Sequence, residues 1–199
     1  MDTVIKVVDD NIGILTLNRP DKNNTFNTTL AEELNDKLKE LEDNDQVRVV
    51  VIKANGRNFS TGIDLNEFYD KSYHEYLIWV ELMEKMSITI EEMKKPVIAE
   101  VKGYAVANGI GLVASADFAF ASEDAKFGAT AINVGLFCIG PAVPLSRVVG
   151  RRKAFELVMT GRIINSNEAK EIGLINDFVK KEMTKETTRF FDFFTSSAS

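Results

Sequence analysis

Residues 47–54, VRVVVIKA, leave this chain few ways to fold. A strand with one wet face alternates apolar and polar residues. Here both alternating sets are largely aliphatic, so the segment has to lie inside a sheet covered on both faces. Residues 12–18, IGILTLN, form a second aliphatic and β-branched run, stopped by Arg19 and Pro20 as a buried strand entering a turn is stopped. PVIAEV (96–101) reads as a third strand and DFAFAS (117–122) as a short fourth. Between them, Leu30, Leu34, Leu38 and Leu41 are spaced 4, 4 and 3, which predicts an amphipathic helix within Thr28 to Asn44. Thr29 with Glu32 fits a capping box at its start. Trp79, Leu82, Met83, Met86, Ile90 and Met93 mark a second long helix, which must end near Lys95 because Pro96 disfavours helix in the residue before it. Gly103 to Ala116 is small and apolar throughout, as suits a helix packed deep inside a domain. Strands alternating with helices predict an α/β layered domain.

The chain's 199 residues suit a single domain, and 45% hydrophobic with 27% charged residues excludes disordered and fibrous classes. A chain of this length buries about 70% of its unfolded surface, so its single cysteine, Cys138, is no handicap. Lys plus Arg number 24 against 30 Asp plus Glu, and the resulting net charge of −6 argues against a nucleic-acid partner. MDTVIKVVDD has the features of neither a signal nor a transit peptide, and no apolar run reaches the 18 or so residues of a membrane span. The expectation is a soluble, cytoplasmic protein with no membrane partner.

Two glycine-bearing loops carry the chemistry. NFSTGIDL (58–65) follows the buried strand, where Gly62 permits a tight turn and Ile63 presents its N–H outward. GYAVANGIG (103–111) follows the next strand, and a helix beginning at about Ala107 or Asn108 offers its free N–H groups and positive dipole end there. Two such main-chain donors are what an oxyanion hole needs to polarise a thioester carbonyl and hold an enolate.

These loops, together with LNRPDKNNTFN (17–27), the stretch KPVIAEVKGYAVANGIGLVASADFAFASEDAKFG (95–128), NVGLF (133–137) and GRRKAFELVMTGRIINSNEAKEIGLIN (150–176), are similar in order and spacing to the crotonase superfamily, the enoyl-CoA hydratase/isomerase family. NVGLF resembles a less characterised hydratase-domain branch more than the well-known hydratases. The resemblance covers nearly the whole chain. It implies a crotonase-like (ClpP/crotonase) spiral of repeated ββα units in one domain, residues 1–199, with 180–199 a C-terminal helical segment shorter than is usual. It makes the N–H groups of Ile63 and Asn108 the oxyanion donors. Coenzyme A, as part of the substrate and not as a separate cofactor, would lie along Thr61, Gly62, Ile63, Asp64, Leu65 and Asn66, with Lys22 near its phosphates. The implied activity is hydratase or isomerase chemistry on an acyl-CoA thioester, in a homotrimer or a dimer of trimers.

The family's acidic positions align with Gly111, Ala131 and Ile139, none of which can move a proton. Two alternatives therefore stay beside the main reading: a non-catalytic acyl-CoA binder or partner subunit, and a thioesterase or decarboxylase that needs only the enolate hole. A protease on the related spiral ranks last for want of a Ser and His pair. Asp64 is expected to brace its own turn, and Glu67 and Asp117 to be structural. Gly109, Gly111 and Ala114 match a dinucleotide fingerprint, but Ala129, Thr130 and Ala131 stand where its ribose-binding acid belongs, which argues against a nicotinamide cofactor. His74, the sole histidine, reads as a surface residue, and no metal site is expected. Cys138 reads as a small core residue beside the acyl pocket. Asn108 stands where a glycine is usual, and its amide offers a possible extra donor to the hole. Arg147, Arg151, Arg152 and Lys153 suit either a phosphate-holding cluster or a solvated helix end. Phe190, Phe191, Phe193 and Phe194 call for burial, for which a neighbouring subunit would serve.

Overall fold

The computed structural model describes residues 2–179. The expectations for residues 180–199, including the four phenylalanines there, lie outside the described residues.

The chain opens with a hairpin, β1 (Val4–Asp9) against β2 (Ile12–Leu17), paired antiparallel from Val4 with Leu17 to Asp9 with Ile12. The strand before IGILTL was not anticipated. Its signal was the Asp10–Asn11 pair, both residues at positive φ (40° and 68°), which is the chemistry of a two-residue hairpin turn. α1 (Thr28–Glu42) then leads to β3 (Val49–Ala54), and α2 (Tyr73–Glu92) leads to β4 (Val97–Val101). β2, β3 and β4 are mutually parallel. β6 (Phe118–Ser122) and β9 (Asp177–Val179) extend the sheet, giving six strands in the order β1-β2-β3-β4-β6-β9.

β3 is buried on both faces, as its composition demands. Val50 and Ile52 join the main core with α1's Leu30, Leu34 and Leu38, while Val49 and Val51 pack with Ile98 in a second cluster. α1 is capped by Asn27, whose side chain accepts from Leu30 N–H at 3.0 Å. The expected Thr29–Glu32 box is not used: Asn27 takes the cap two residues earlier, and Thr28's N–H and hydroxyl both go to the Glu67 carboxylate, which fixes the helix start there.

Residues 103–116 are not one helix. β5 (Tyr104–Val106) pairs in parallel with β7 (Lys126–Gly128) in a three-stranded sheet completed by β8 (Ile164–Asn165), and α3 (Asn108–Ser115) starts only after Ala107. Ala107 has φ +50° and ψ −119°, which is incompatible with helix and breaks the segment there. α4 (Ile139–Val149), α5 (Arg151–Thr160) and α6 (Ser166–Glu171) complete the described chain, with α4 packed on α3.

Candidate functional site

The loop after β3 is laid down beside two neighbours by main-chain bonds. Ser60 N–H donates to Tyr104 O and Val106 N–H to Ser60 O, both at 3.0 Å. Two residues on, Phe26 N–H donates to Gly62 O and Asp64 N–H to Phe26 O, both at 2.8 Å. Extended backbone alternates the direction of its polar groups, so Ile63 N–H points away from Phe26, and it meets no acceptor among the described residues. Asn108 N–H, the first of α3, is likewise unpaired there, since a helix's first N–H groups have no intrahelical acceptor.

Gly62 brings the two together. Its φ of +96° suits glycine, and a Cβ on it would sit 2.7 Å from Ala107 Cβ and 3.7 Å from Asn108 N. The loop therefore touches the start of α3 with nothing between. Ala107, a non-glycine residue in a sparsely populated conformation, stores strain where Asn108 N–H is presented.

Both donor residues line a cavity of about 560 Å³, the size of a small-molecule site, whose walls are mostly apolar: Leu65, Trp79, Met83, Leu136 and Phe137 are examples. Thr61 and Leu65 also line it. Gly62 lies behind the donors, and Asn66 is exposed on the short 3-10 turn Leu65–Glu67. Lys22 is outside the cavity, exposed on the Pro20–Lys22 turn, with the adjoining Asn23 O accepting from Thr61 N–H at 3.2 Å.

Asp64 braces its turn as expected. It accepts from Asn66 N–H at 3.2 Å and pairs with Arg19 Nη2 at 2.9 Å. Burial pushes its carboxyl up, but the bonds from Arg19 and Asn66 outweigh this and hold it below the ordinary carboxylate range. Glu67 also sits low: burial is outweighed by the hydrogen bonds of Thr28 and Trp79. Asp117 accepts from Val97 N–H at 2.8 Å, a structural role. His74 is exposed in the first turn of α2. Arg147 pairs with Glu91, and Lys153 with Glu156 at 2.9 Å. Cys138 is buried at the start of α4, and burial pushes its thiol up, away from thiolate chemistry.

The amide of Asn108 is not free to act as the extra donor expected of it. It donates to Glu84 Oε1 at 3.1 Å and to Met83 O at 3.3 Å. Glu84, on α2, was missed by sequence reasoning. It lines the cavity, and burial pushes its carboxyl up to about 7, partly offset by the Asn108 bond. The available signal was its position one residue past Met83, on the flank of the apolar stripe.

A six-stranded sheet parallel apart from its edge hairpin, with helices packed on it, is a crotonase-like α/β domain. The enoyl-CoA hydratase/isomerase family model matches residues 8–191, and the chain belongs to that family. It is 36% identical over 191 residues to a mitochondrial enoyl-CoA hydratase domain-containing protein 3 of Xenopus laevis, an alignment covering 94% of this chain and 64% of that protein. The chain thus spans about 60% of the length of such relatives. It is 32% identical to a trans-2-decenoyl-[acyl-carrier-protein] isomerase of Streptococcus mutans, covering 91% of this chain and 71% of that one. The crystal structure of human enoyl Coenzyme A hydratase domain-containing protein 3 superposes with a TM-score of 0.92 at 35% identity, covering 98% of this chain and 78% of that chain. Among the described residues, no helix is long and apolar enough to cross a membrane.

Proposed function

We propose that the cavity takes the acyl part of a coenzyme A thioester, with the carbonyl oxygen between the N–H groups of Ile63 and Asn108, and that the protein stabilises the enolate derived from it. The observation that carries this reading is the pairing, by the Gly62–Ala107 contact at the wall of an apolar cavity, of two main-chain donors that have no partner among the described residues. Fixed N–H dipoles in a water-poor site favour the enolate oxygen over the neutral carbonyl, because they need not reorient as charge develops. The backbone from Thr61 to Asn66 takes the pantetheine and adenosine end, with Lys22 beside the phosphates. Assembly as a trimer or a dimer of trimers is supported by apolar side chains left exposed on α4 and α5, such as Val148, Phe155 and Met159. The proposed setting is cytoplasmic, whereas the vertebrate relatives are named mitochondrial; fractionation of cells expressing the chain tests this.

The functional test is incubation with saturated, 2-enoyl, 3-enoyl and malonyl-type CoA esters, followed by calorimetry, mass spectrometry and ultraviolet absorbance. Binding with interconversion of enoyl esters supports the reading. Tight binding with no product favours a non-catalytic binder, and release of free CoA or carbon dioxide favours a thioesterase or decarboxylase. No binding across the panel overturns it.

A further inference from the structure

An enolate forms only if some group takes a proton from the carbon beside the thioester. Gly111, Ala131 and Ile139 cannot. Glu84 supplies the one carboxyl among the described residues that line the cavity. Its Oε1 accepts from the side chain of Asn108, the residue whose main-chain N–H is one of the two proposed donors, so a single residue ties carboxyl and hole together. Its Oε2 is shut off from solvent and has no hydrogen-bond partner among the described residues. A buried polar atom left in that state is destabilising, which calls for an explanation beyond packing.

The surrounding glycines fit this carboxyl. A Cβ on Gly140 would lie 1.9 Å from Glu84 Cδ, so a side chain there would force the carboxyl to move. On the neighbouring helix a Cβ on Gly111 would already meet Pro141 at 3.2 Å, so α4 fills the space a longer side chain from α3 would need. Glu84 comes to the cavity wall from α2 instead of α3.

We propose that Glu84 is the proton-transferring group of this site, taking a proton from the α-carbon of a 3-enoyl thioester and returning it to the γ-carbon. This inference rests on the acyl-thioester reading of the cavity. In the step, the C–H electron pair becomes the enolate and its charge settles on the thioester oxygen between Ile63 and Asn108. The protonated carboxyl then gives the same proton to the γ-carbon, the double bond moves into conjugation as the 2-enoyl ester, and the carboxylate is regenerated. Nothing is consumed, which is why one acid suffices. Tyr76 and Cys138, the other titratable side chains lining the cavity among the described residues, are both pushed up by burial, away from their charged forms. A second cavity of about 390 Å³ is also lined by Glu84, and there Glu91 is paired with Arg147 and Asp117 is bonded to Val97 N–H.

The test compares wild type with Glu84→Gln, which keeps shape and hydrogen bonding, and with Glu84→Asp, using 3-enoyl to 2-enoyl conversion, α-proton exchange in deuterium oxide and calorimetric binding of a saturated acyl-CoA. Glu84→Gln is expected to lower kcat at least a hundredfold while acyl-CoA affinity stays within threefold, and Glu84→Asp to recover part of the rate. The wild-type rate should rise with pH through about 7, a limb absent from Glu84→Gln. Asn108→Ala keeps the main-chain donor but removes a bond that favours the charged carboxylate, so its limb should move to higher pH. Gly140→Ala, which displaces the carboxyl without altering it, should lose kcat likewise. A Glu84→Gln enzyme within tenfold of wild type overturns the proposal, as does a loss of rate matched by a loss of binding. Wild type that binds acyl-CoA but moves no proton overturns this proposal alone, whereas wild type that binds none overturns the site reading and this proposal with it.

Discussion

A methyl group added at Gly62 separates the two proposed donors. It would sit 2.7 Å from Ala107 Cβ, whereas apolar carbons settle at about 3.5–4.0 Å, so loop and helix start must part by about 1 Å. Oxyanion donors work over a narrow range, about 2.7–3.1 Å, and losing one costs about a hundredfold to a thousandfold in rate, or roughly 3–4 kcal/mol. Alanine at a φ of +96° is strained as well, lowering stability by about 1–3 kcal/mol. Gly150→Ala separates the two effects. Its φ is +79°, but no described residue lies within 4 Å of the new methyl, so it should lose stability and keep activity. Enoyl conversion and urea unfolding of both variants provide the assay. Gly62→Ala is expected to be folded and at least a hundredfold down in kcat/KM, with Gly150→Ala near wild type. A folded Gly62→Ala within threefold of wild type would refute the donor pair.

Stability should also depend on Glu84. Its carboxyl is raised in the fold from 4.5 to about 7, so its contribution is fully present below pH 4.5 and is lost as pH climbs through 7, by about 3 kcal/mol at most. Glu84→Gln should therefore gain in urea midpoint relative to wild type between pH 5 and pH 8; a constant difference counts against the buried carboxyl. Asp64→Ala leaves the Arg19 guanidinium, 16% exposed, without its carboxylate but still bonded to Thr25 O, and should cost about 1–3 kcal/mol. Because the Asp64 carboxyl is held below 3.8, wild type should lose that advantage as pH falls through its lowered value, and parallel acid-unfolding curves for the two would be the wrong result. Ala107→Gly relieves a strain of about 1–3 kcal/mol against a glycine cost of about 0.5–1 kcal/mol. Its melting temperature should rise by roughly 2–4 °C, and a fall would show Ala107 to be unstrained.

The strands from β2 to β4 and the leucine stripe of α1 were legible because burial leaves a period in the residues themselves. The loops were legible too, since Gly62 and the small residues around Asn108 have few structural uses. What escaped depends on contacts far apart in the chain. The Asn27 cap displaced the Thr29–Glu32 box only because Glu67, 39 residues on, claims Thr28. β5 hid inside an apolar run because helix and strand share that composition, and the break at Ala107 is a matter of backbone angles. Glu84 looked like one more carboxylate among Glu81, Glu91 and Glu92. Its burial follows from Gly140 and Asn108, on two other helices, and neither contact has a local signature.

The most direct measurement is the infrared carbonyl stretch of a 1-13C-labelled acyl-CoA, recorded free and bound. If Ile63 and Asn108 N–H both reach the thioester oxygen, the band of the bound ester should fall to lower frequency and return most of the way in Gly62→Ala. A bound ester whose band stays at the free position would contradict the donor pair, however tightly the ligand is held.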